Sequence, residues 1–150
     1  MAAIGGTAGS SSSIRSRCAP CLRVTRQLGD NTRLRLLNLM GDQEICVCYF
    51  VEILDQPQPK ILRDPAYLRN AGIVAARRDG KWMHYRIVML PNEGAAKVLL
   101  QILQWFKEEK AMQADRARLT KACCTPEKFV MLQEAPRQIP VAPSTISASR

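Results

Sequence analysis

The residues of this chain best able to do chemistry are its six cysteines, which fall in three close pairs: Cys18 and Cys21, Cys46 and Cys48, Cys123 and Cys124. Such spacing suggests soft-metal binding or thiol chemistry more than scattered cysteines would. The N-terminal residues are Gly, Ala and Ser with no apolar core, so no secretory signal is visible and thiols in a reducing, cytoplasmic setting are expected. The adjacent thiols of Cys123 and Cys124 can chelate one soft centre, but make a strained disulfide with each other. Cys46-Val47-Cys48 falls at the expected start of a helix, whose N-terminal partial charge lowers a thiol's pKa. Positions two apart on a regular helix point nearly opposite ways, so joint ligation there requires the turn to distort. Cys18-Ala19-Pro20-Cys21 has the Cys-x-x-Cys spacing of thiol–disulfide exchange enzymes, which need a βαβ context, whereas a Ser-rich tail precedes it here. An unliganded thiol pair is the alternative. The single histidine, His84, reads as a surface or half-buried strand residue rather than a ligand.

A second stretch bears on polyanions. Gln58 to Arg69 is short, basic and half apolar, and Gly72 follows as a C-cap. Two strands come next, Ile73 to Arg77 and Trp82 to Ile87, with Asp79-Gly80 suited to a tight hairpin between them. A basic helix followed by a basic hairpin is the outline of a winged helix-turn-helix DNA reader, with the helix in the major groove and the hairpin on the flanking backbone. Gln58, Lys60, Arg63, Tyr67 and Arg69 are the helix residues expected to face DNA, and Arg77, Arg78 and Lys81 are the wing residues placed for phosphates. The formal charge of +9 fits a polyanionic partner.

The elements that must hold these groups can be read in order. Residues 17–28 are loosely helical, and Gly29-Asp30 breaks them, with Asp30 an N-cap for the next helix. That helix carries Leu34, Leu37 and Met40 on one face, with Leu36 and Leu39 beside them, and Gly41 ends it. Asp42 is expected to cap a third helix whose Ile45, Cys48, Val51 and Leu54 face the core, and Asp55 to Pro59 is expected to be a turn. Pro91-Asn92-Glu93 opens a long helix lined by Ala95, Val98, Leu99, Ile102, Leu103 and Phe106, with Lys107 to Leu119 its charged continuation. Leu100 and Trp105 widen the apolar face beyond what one small core needs, which suggests a partner helix from a second copy. Thr125-Pro126-Glu127 has the form of a helix start, leading to a short helix that ends near Gln133.

The fold class that results is mainly α with a small β-hairpin, a winged helix-turn-helix that is homodimeric through terminal helices. Residues 1–16 read as a disordered tail, 17–122 as the winged helix-turn-helix domain with its dimerisation helix, and 123–150 as a cysteine-pair segment with a mostly disordered end. No apolar run approaches the roughly 20 residues that span a bilayer, so no membrane partner is expected.

In its order of elements and in several motifs the chain resembles the ArsR/SmtB family of metal-responsive winged-helix repressors. The motifs are Leu28-Gly29-Asp30-Asn31-Thr32-Arg33-Leu34-Arg35-Leu36-Leu37, Glu44-Ile45-Cys46-Val47-Cys48, Gln58-Pro59-Lys60, Tyr67-Leu68-Arg69, Ala71-Gly72-Ile73-Val74, Arg77-Arg78-Asp79-Gly80-Lys81-Trp82 and Tyr85. The resemblance implies a homodimer, not an enzyme, that binds double-stranded operator DNA and lets go when a toxic metal or metalloid binds. Cys46 and Cys48 match the family's metalloid motif, although its third thiol, three positions on, is Val51 here. Cys123 and Cys124 resemble the vicinal pair that some arsenic-responsive members carry after the last long helix. The inducer so implied is As(III) or Sb(III) at Cys46, Cys48, Cys123 and Cys124; the alternative is Cd(II) or Pb(II) at Cys18, Cys21, Cys46 and Cys48. The family's zinc site of Asp and His on the last long helix is absent, because 92–110 contains no His.

One departure lies at the centre of the reader. Family members carry Ser-Arg-His-Leu where this chain has Leu62-Arg63-Asp64-Pro65. Proline inside a helix costs about 3 kcal/mol, and an aspartate facing phosphates repels them. Asp64-Pro65 is also a good helix start. A helix kinked near Asp64, or beginning only there with Gln58, Lys60 and Arg63 on a loop, is therefore expected. The corresponding alternative function is a dimeric thiol-metal binding protein whose DNA reading is impaired.

Overall fold

The computed structural model describes residues 22–124 together with the strand Ile139–Pro140. After a short helix, α1 (residues 22–27), the chain enters α2 (Asn31–Met40) through an acid that follows a glycine. Asp30 holds extended backbone, and its carboxylate accepts from the Arg33 N–H at 3.1 Å, satisfying one of the helix's open donors. Leu36, Leu37, Leu39 and Met40 are buried and Leu34 packs against them. At Gly41 a φ of 46° turns the chain out of the helix, which a side chain would resist, and its N–H closes on the Leu37 carbonyl at 2.9 Å.

The next segment departs from expectation. Asp42 caps no helix. Gln43–Cys46 is a strand, β1, and helix α3 (Val47–Leu54) begins only after it, with Cys46 at the N-cap position. The cause is tertiary: β1 pairs antiparallel with the wing, Ile45 opposite Tyr85 and Cys46 opposite His84. Ile45 is thereby buried in the core, where the Phe50 ring of α3 lies 6.3 Å from that of Tyr85.

Asp55, in the left-handed region at φ 50°, ends α3 and the chain turns through Pro57 into α4. This helix runs from Gln58 to Asn70 as one element, so Gln58 and Pro59 belong to it and not to the turn. The helix does not begin at Asp64, and Pro65 sits inside it. Ile61, Asp64, Pro65 and Leu68 form the buried stripe, at helical spacing. Burying Ile61 and Leu68 is worth about 1.5–3 kcal/mol each, enough to offset the roughly 3 kcal/mol cost of an interior proline. The C-terminus closes as a Schellman motif: the Ile73 N–H reaches the Leu68 carbonyl at 3.0 Å and the Gly72 N–H reaches Arg69 at 2.9 Å, with Gly72 at φ 77°.

The wing is β2 (Val74–Asp79) against β3 (Trp82–Ile87), in register from Val74 opposite Ile87 to Asp79 opposite Trp82. Its two-residue turn is Gly80-Lys81, one position later than the sequence suggests, with Gly80 at φ 58°. With β4 (Ile139–Pro140) on the far side of β1, the strand order is β2-β3-β1-β4.

Helix α5 (Glu93–Phe106) is capped by Asn92, whose side chain accepts from the Ala95 N–H at 2.9 Å. It does not continue into the charged segment: residues 107–109 break it, and α6 (Lys110–Cys124) packs back on α2 and α3. Met112, Leu119 and Ala122 recur on the inner face of α6 and pull it onto the core. Among the described residues, no helix is long and apolar enough to cross a membrane. The expected tail 1–16, the helix start at Thr125, and Cys18 and Cys21 lie outside the described residues.

Candidate DNA-reading surface and cysteine site

With Ile61, Asp64, Pro65 and Leu68 turned inward, the opposite face of α4 presents Leu62, Arg63, Tyr67 and Asn70 to solvent. Gln58 and Arg69 are exposed on the flanks, and Lys60 is half-buried beside Asp30, Nζ to Oδ2 3.5 Å. The Tyr67 ring is bracketed by cations, with the Arg33 guanidinium 5.5 Å and the Arg63 guanidinium 5.9 Å from its centroid. This fixes the ring on the outer face, and it brings Arg33, from α2, into the reading surface. Leu62 and Asn70 were not among the expected contacts. Their spacing from Arg63 (one position before, seven after) could have found them once the helix was known to be continuous.

The feared repulsion at Asp64 is absent from this surface, because the side chain is only 2% exposed and faces inward. Burial and the neighbouring Asp30 push its carboxyl above the usual range, against the pull of Lys60, Arg33 and Arg63, and its Oδ2 has no hydrogen-bond partner. Burial also pushes Asp30 up, but the Arg33 N–H and the charges of Lys60 and Arg33 outweigh it and leave its carboxyl below the ordinary value.

On the wing, Arg77, Arg78 and Lys81 are exposed, as a phosphate contact requires. They are not equally available. Arg77 donates from Nε at 2.8 Å and from Nη2 at 2.6 Å to one oxygen of Glu44 on β1, which ties the wing to the strand beneath. The Arg78 Nε holds the Gly80 carbonyl at 3.0 Å, and the Lys81 ammonium lies 5.1 Å from the Trp82 ring centroid.

The Cys46–Cys48 pair is built by the strand-to-helix junction. Because Cys46 still has extended backbone (φ −70°, ψ 141°) while Cys48 is the second residue of α3, their side chains converge, and Sγ to Sγ is 2.8 Å. The divergence expected on a regular helix therefore does not arise. Both residues are buried. The hydrogen bond from the Cys48 thiol, reinforced by backbone N–H groups, holds Cys46 below the ordinary thiol value against burial, and the same bond together with burial pushes Cys48 far up. Cys46 is therefore the more acidic thiol of the pair and Cys48 its donor.

Cys123 and Cys124 lie on the last turn of α6, within the helix and not beyond it. Cys124 is exposed and Cys123 half-buried. Burial and Cys124 push the Cys123 thiol up, against a hydrogen bond with Tyr49 of α3. The two pairs thus touch the same helix without merging. Among the described residues, no three His, Cys, Asp or Glu side chains stand close enough as placed to hold a metal ion.

His84 is not the surface or half-buried residue expected. It is 3% exposed, directly opposite Cys46 on the sheet. Its Nδ1 lies 3.9 Å from the Glu44 carboxylate and its Nε2 has no partner. Burial and Arg77 hold its pKa below the ordinary value, against Glu44 and Asp79, which favours the neutral imidazole.

Residues 30–76 match the family model described as "Bacterial regulatory protein, arsR family". The chain is 36% identical over 105 residues to the arsenical resistance operon repressor of Escherichia coli (strain K12), spanning 69% of this chain and 88% of that one. It is 45% identical over 65 residues to an arsenic resistance transcriptional regulator of Pseudomonas putida, covering 43% of this chain and 51% of the relative. Among solved structures it is similar to a homodimeric winged helix-turn-helix DNA-binding domain from Mycobacterium bovis, at 25% identity and a TM-score of 0.53, over 67% of this chain and 91% of that one. The AntR antimony-specific transcriptional repressor shares the fold at 22% identity and a TM-score of 0.51, over 72% of this chain and 96% of the other. These relatives are transcriptional regulators and not enzymes.

Proposed function

As the chain belongs to the arsR family of bacterial regulatory proteins, we propose that it is a homodimeric repressor that leaves its operator DNA when trivalent arsenic or antimony binds its paired cysteines. The observation that carries this reading is the position of the converged Cys46 and Cys48 sulfurs, 2.8 Å apart at the joint between β1 and α3. β1 is hydrogen-bonded to wing strand β3, and α3 packs on the reading helix α4. A soft centre drawing the two sulfurs into its own geometry displaces both DNA-contacting elements at once. The donor set of two close thiols fits a thiophilic centre in kind, but Val51 supplies no third sulfur.

Gln58, Lys60, Arg63, Tyr67 and Arg69 with Arg77, Arg78 and Lys81 form the proposed DNA surface, extended by Leu62 and Asn70. Asp64-Pro65 does not break this surface, since both residues are buried. Cys123 and Cys124 are the second candidate ligand pair, reaching the same switch helix through Tyr49. The homodimer reading rests on α5, where Val98 is 44% and Trp105 57% exposed in the single chain.

Fluorescence anisotropy of a labelled duplex from the gene's own upstream region, titrated with protein and then with arsenite, tests the reading. Tight binding that arsenite reverses, and that arsenite no longer reverses in a Cys46→Ser, Cys48→Ser variant, is expected. Weak, steeply salt-dependent binding with no arsenite effect would instead favour the thiol-metal binding alternative.

A further inference from the structure

The Cys46–Cys48 pair lacks a third ligand in its own segment, and the fold supplies one from the wing. We propose that His84 completes the pair as a two-sulfur, one-imidazole site for a divalent, borderline-soft ion of the zinc and cadmium class. The inference deepens the reading above and rests on one part of it, that Cys46 and Cys48 bind a thiophilic centre.

Three independent features converge on His84. First, it is the direct cross-strand partner of Cys46, and directly opposed residues have Cβ atoms about 4.5–5.5 Å apart on one face of the sheet. Second, Nε2 is buried without a hydrogen-bond partner in a residue 3% exposed. A lone buried polar nitrogen costs about 1–3 kcal/mol, a cost that coordination would remove. Third, the other ring nitrogen faces a carboxylate, Nδ1 to Glu44 Oε1 3.9 Å. A carboxylate behind the distal nitrogen is the arrangement that orients metal-bound histidines. Glu44 is itself held by Arg77, at 2.8 and 2.6 Å, so the support is anchored.

The three groups are not within coordinating reach as they stand. Closing the set would need the two sulfurs to turn toward the His84 Nε2, which asks for no change of strand register because the two backbones are already paired. The ion replaces the thiol protons of the pair, which pass to solvent, and no electron is transferred. Two thiolates and one neutral imidazole balance the double charge, as a buried site requires. A trivalent arsenic centre wants sulfur throughout, whereas imidazole suits zinc-like ions, so the donor set would widen the range of inducers. Because His84 lies on β3, ligation would pull directly on the wing.

The test is a titration of the reduced full-length chain with Cd(II) alone. Thiolate-to-cadmium absorption reports sulfur ligation, and competition with a chelator gives the affinity. His84→Gln is expected to weaken Cd(II) binding at least tenfold while sulfur absorption remains. The Cys46→Ser, Cys48→Ser variant should strongly reduce that component. In the unmutated protein, the imidazole nitrogen signals of His84 should shift on cadmium addition, a readout that does not depend on the variant folding. Unchanged affinity in folded His84→Gln, or imidazole signals indifferent to cadmium, overturns the His84 assignment while leaving the cysteine site standing. Cadmium absorption undiminished by loss of both Cys46 and Cys48 overturns the cysteine reading as well.

Discussion

Arg35 on α2 and Asp115 on α6 form a two-bond fork, Nε to Oδ2 2.7 Å and Nη2 to Oδ1 2.9 Å, across 80 residues of chain. A third guanidinium nitrogen, Nη1, donates to the Leu54 carbonyl at 3.2 Å, so one arginine joins α6, α2 and the end of α3. Asp115 is 4% exposed. Asp115→Ala leaves that arginine uncompensated and is expected to cost about 3 kcal/mol, read as a lower urea midpoint at unchanged slope. An unaltered midpoint would mean that α6 is held by its apolar face alone.

Asp30 and Asp64 should give opposite pH dependences on either side of the ordinary carboxylate value of 3.8. The Asp64 carboxyl is raised by burial and by Asp30, so the folded state holds its proton more tightly than the unfolded one. That contribution is fully present below 3.8 and is lost as pH rises through the raised value. Asp64→Asn should therefore be more stable than the parent at neutral pH, and the advantage should shrink as pH falls toward 4. The Asp30 carboxyl, lowered overall, stabilises above 3.8 and loses that effect as pH falls through its folded value. Asp30→Ala should cost about 1 kcal/mol at neutral pH as a lost cap. Urea midpoints of the three proteins across this range decide both signs.

The cations of the reading surface should not be equivalent. Arg63 is exposed on the outer face of α4, whereas the guanidinium of Arg77 is already bonded to Glu44. Arg63→Ala is expected to lower operator affinity about tenfold and to reduce the salt slope by about 1. Arg77→Ala should change the slope less and the wing's stability more. Anisotropy titrations at several salt concentrations separate the two, and equal slopes for both variants would contradict the geometry.

Thiol reactivity should follow burial. Cys124 is exposed, Cys123 half-buried, and Cys46 and Cys48 buried. Brief alkylation of the native protein should mark Cys124 ahead of Cys123, and Cys46 and Cys48 only after denaturant is added, as peptide mass mapping can show.

Trp105 and Val98 offer an apolar surface on α5 that is exposed among the described residues. Trp105→Glu is expected to leave the monomer folded and to shift sedimentation from dimer to monomer. A dimer unaffected by that change would place the interface elsewhere.

Much of this protein is decided by local chemistry and is legible in its sequence. The cap at Asp30, the exit at Gly41, the Schellman close at Gly72 and the two-residue hairpin each depend on a few neighbouring residues whose side chains satisfy or free the backbone. The Cys46–Cys48 pair, the basic face of α4 and the apolar surplus of α5 are likewise read from type and spacing. What required the tertiary structure lies where long-range packing overrides a local preference. Gln43 to Cys46 has helical spacing yet becomes a strand, because pairing with β3 satisfies its backbone and buries Ile45. Pro65 would break an isolated helix, but on the inner face of α4 it is buried between Ile61 and Leu68. The same burial takes Asp64 away from the reading surface, and pairing with β1 carries His84 beneath the wing to face Cys46. No local rule reaches across the 38 positions between Cys46 and His84; only the register of two strands brings them together.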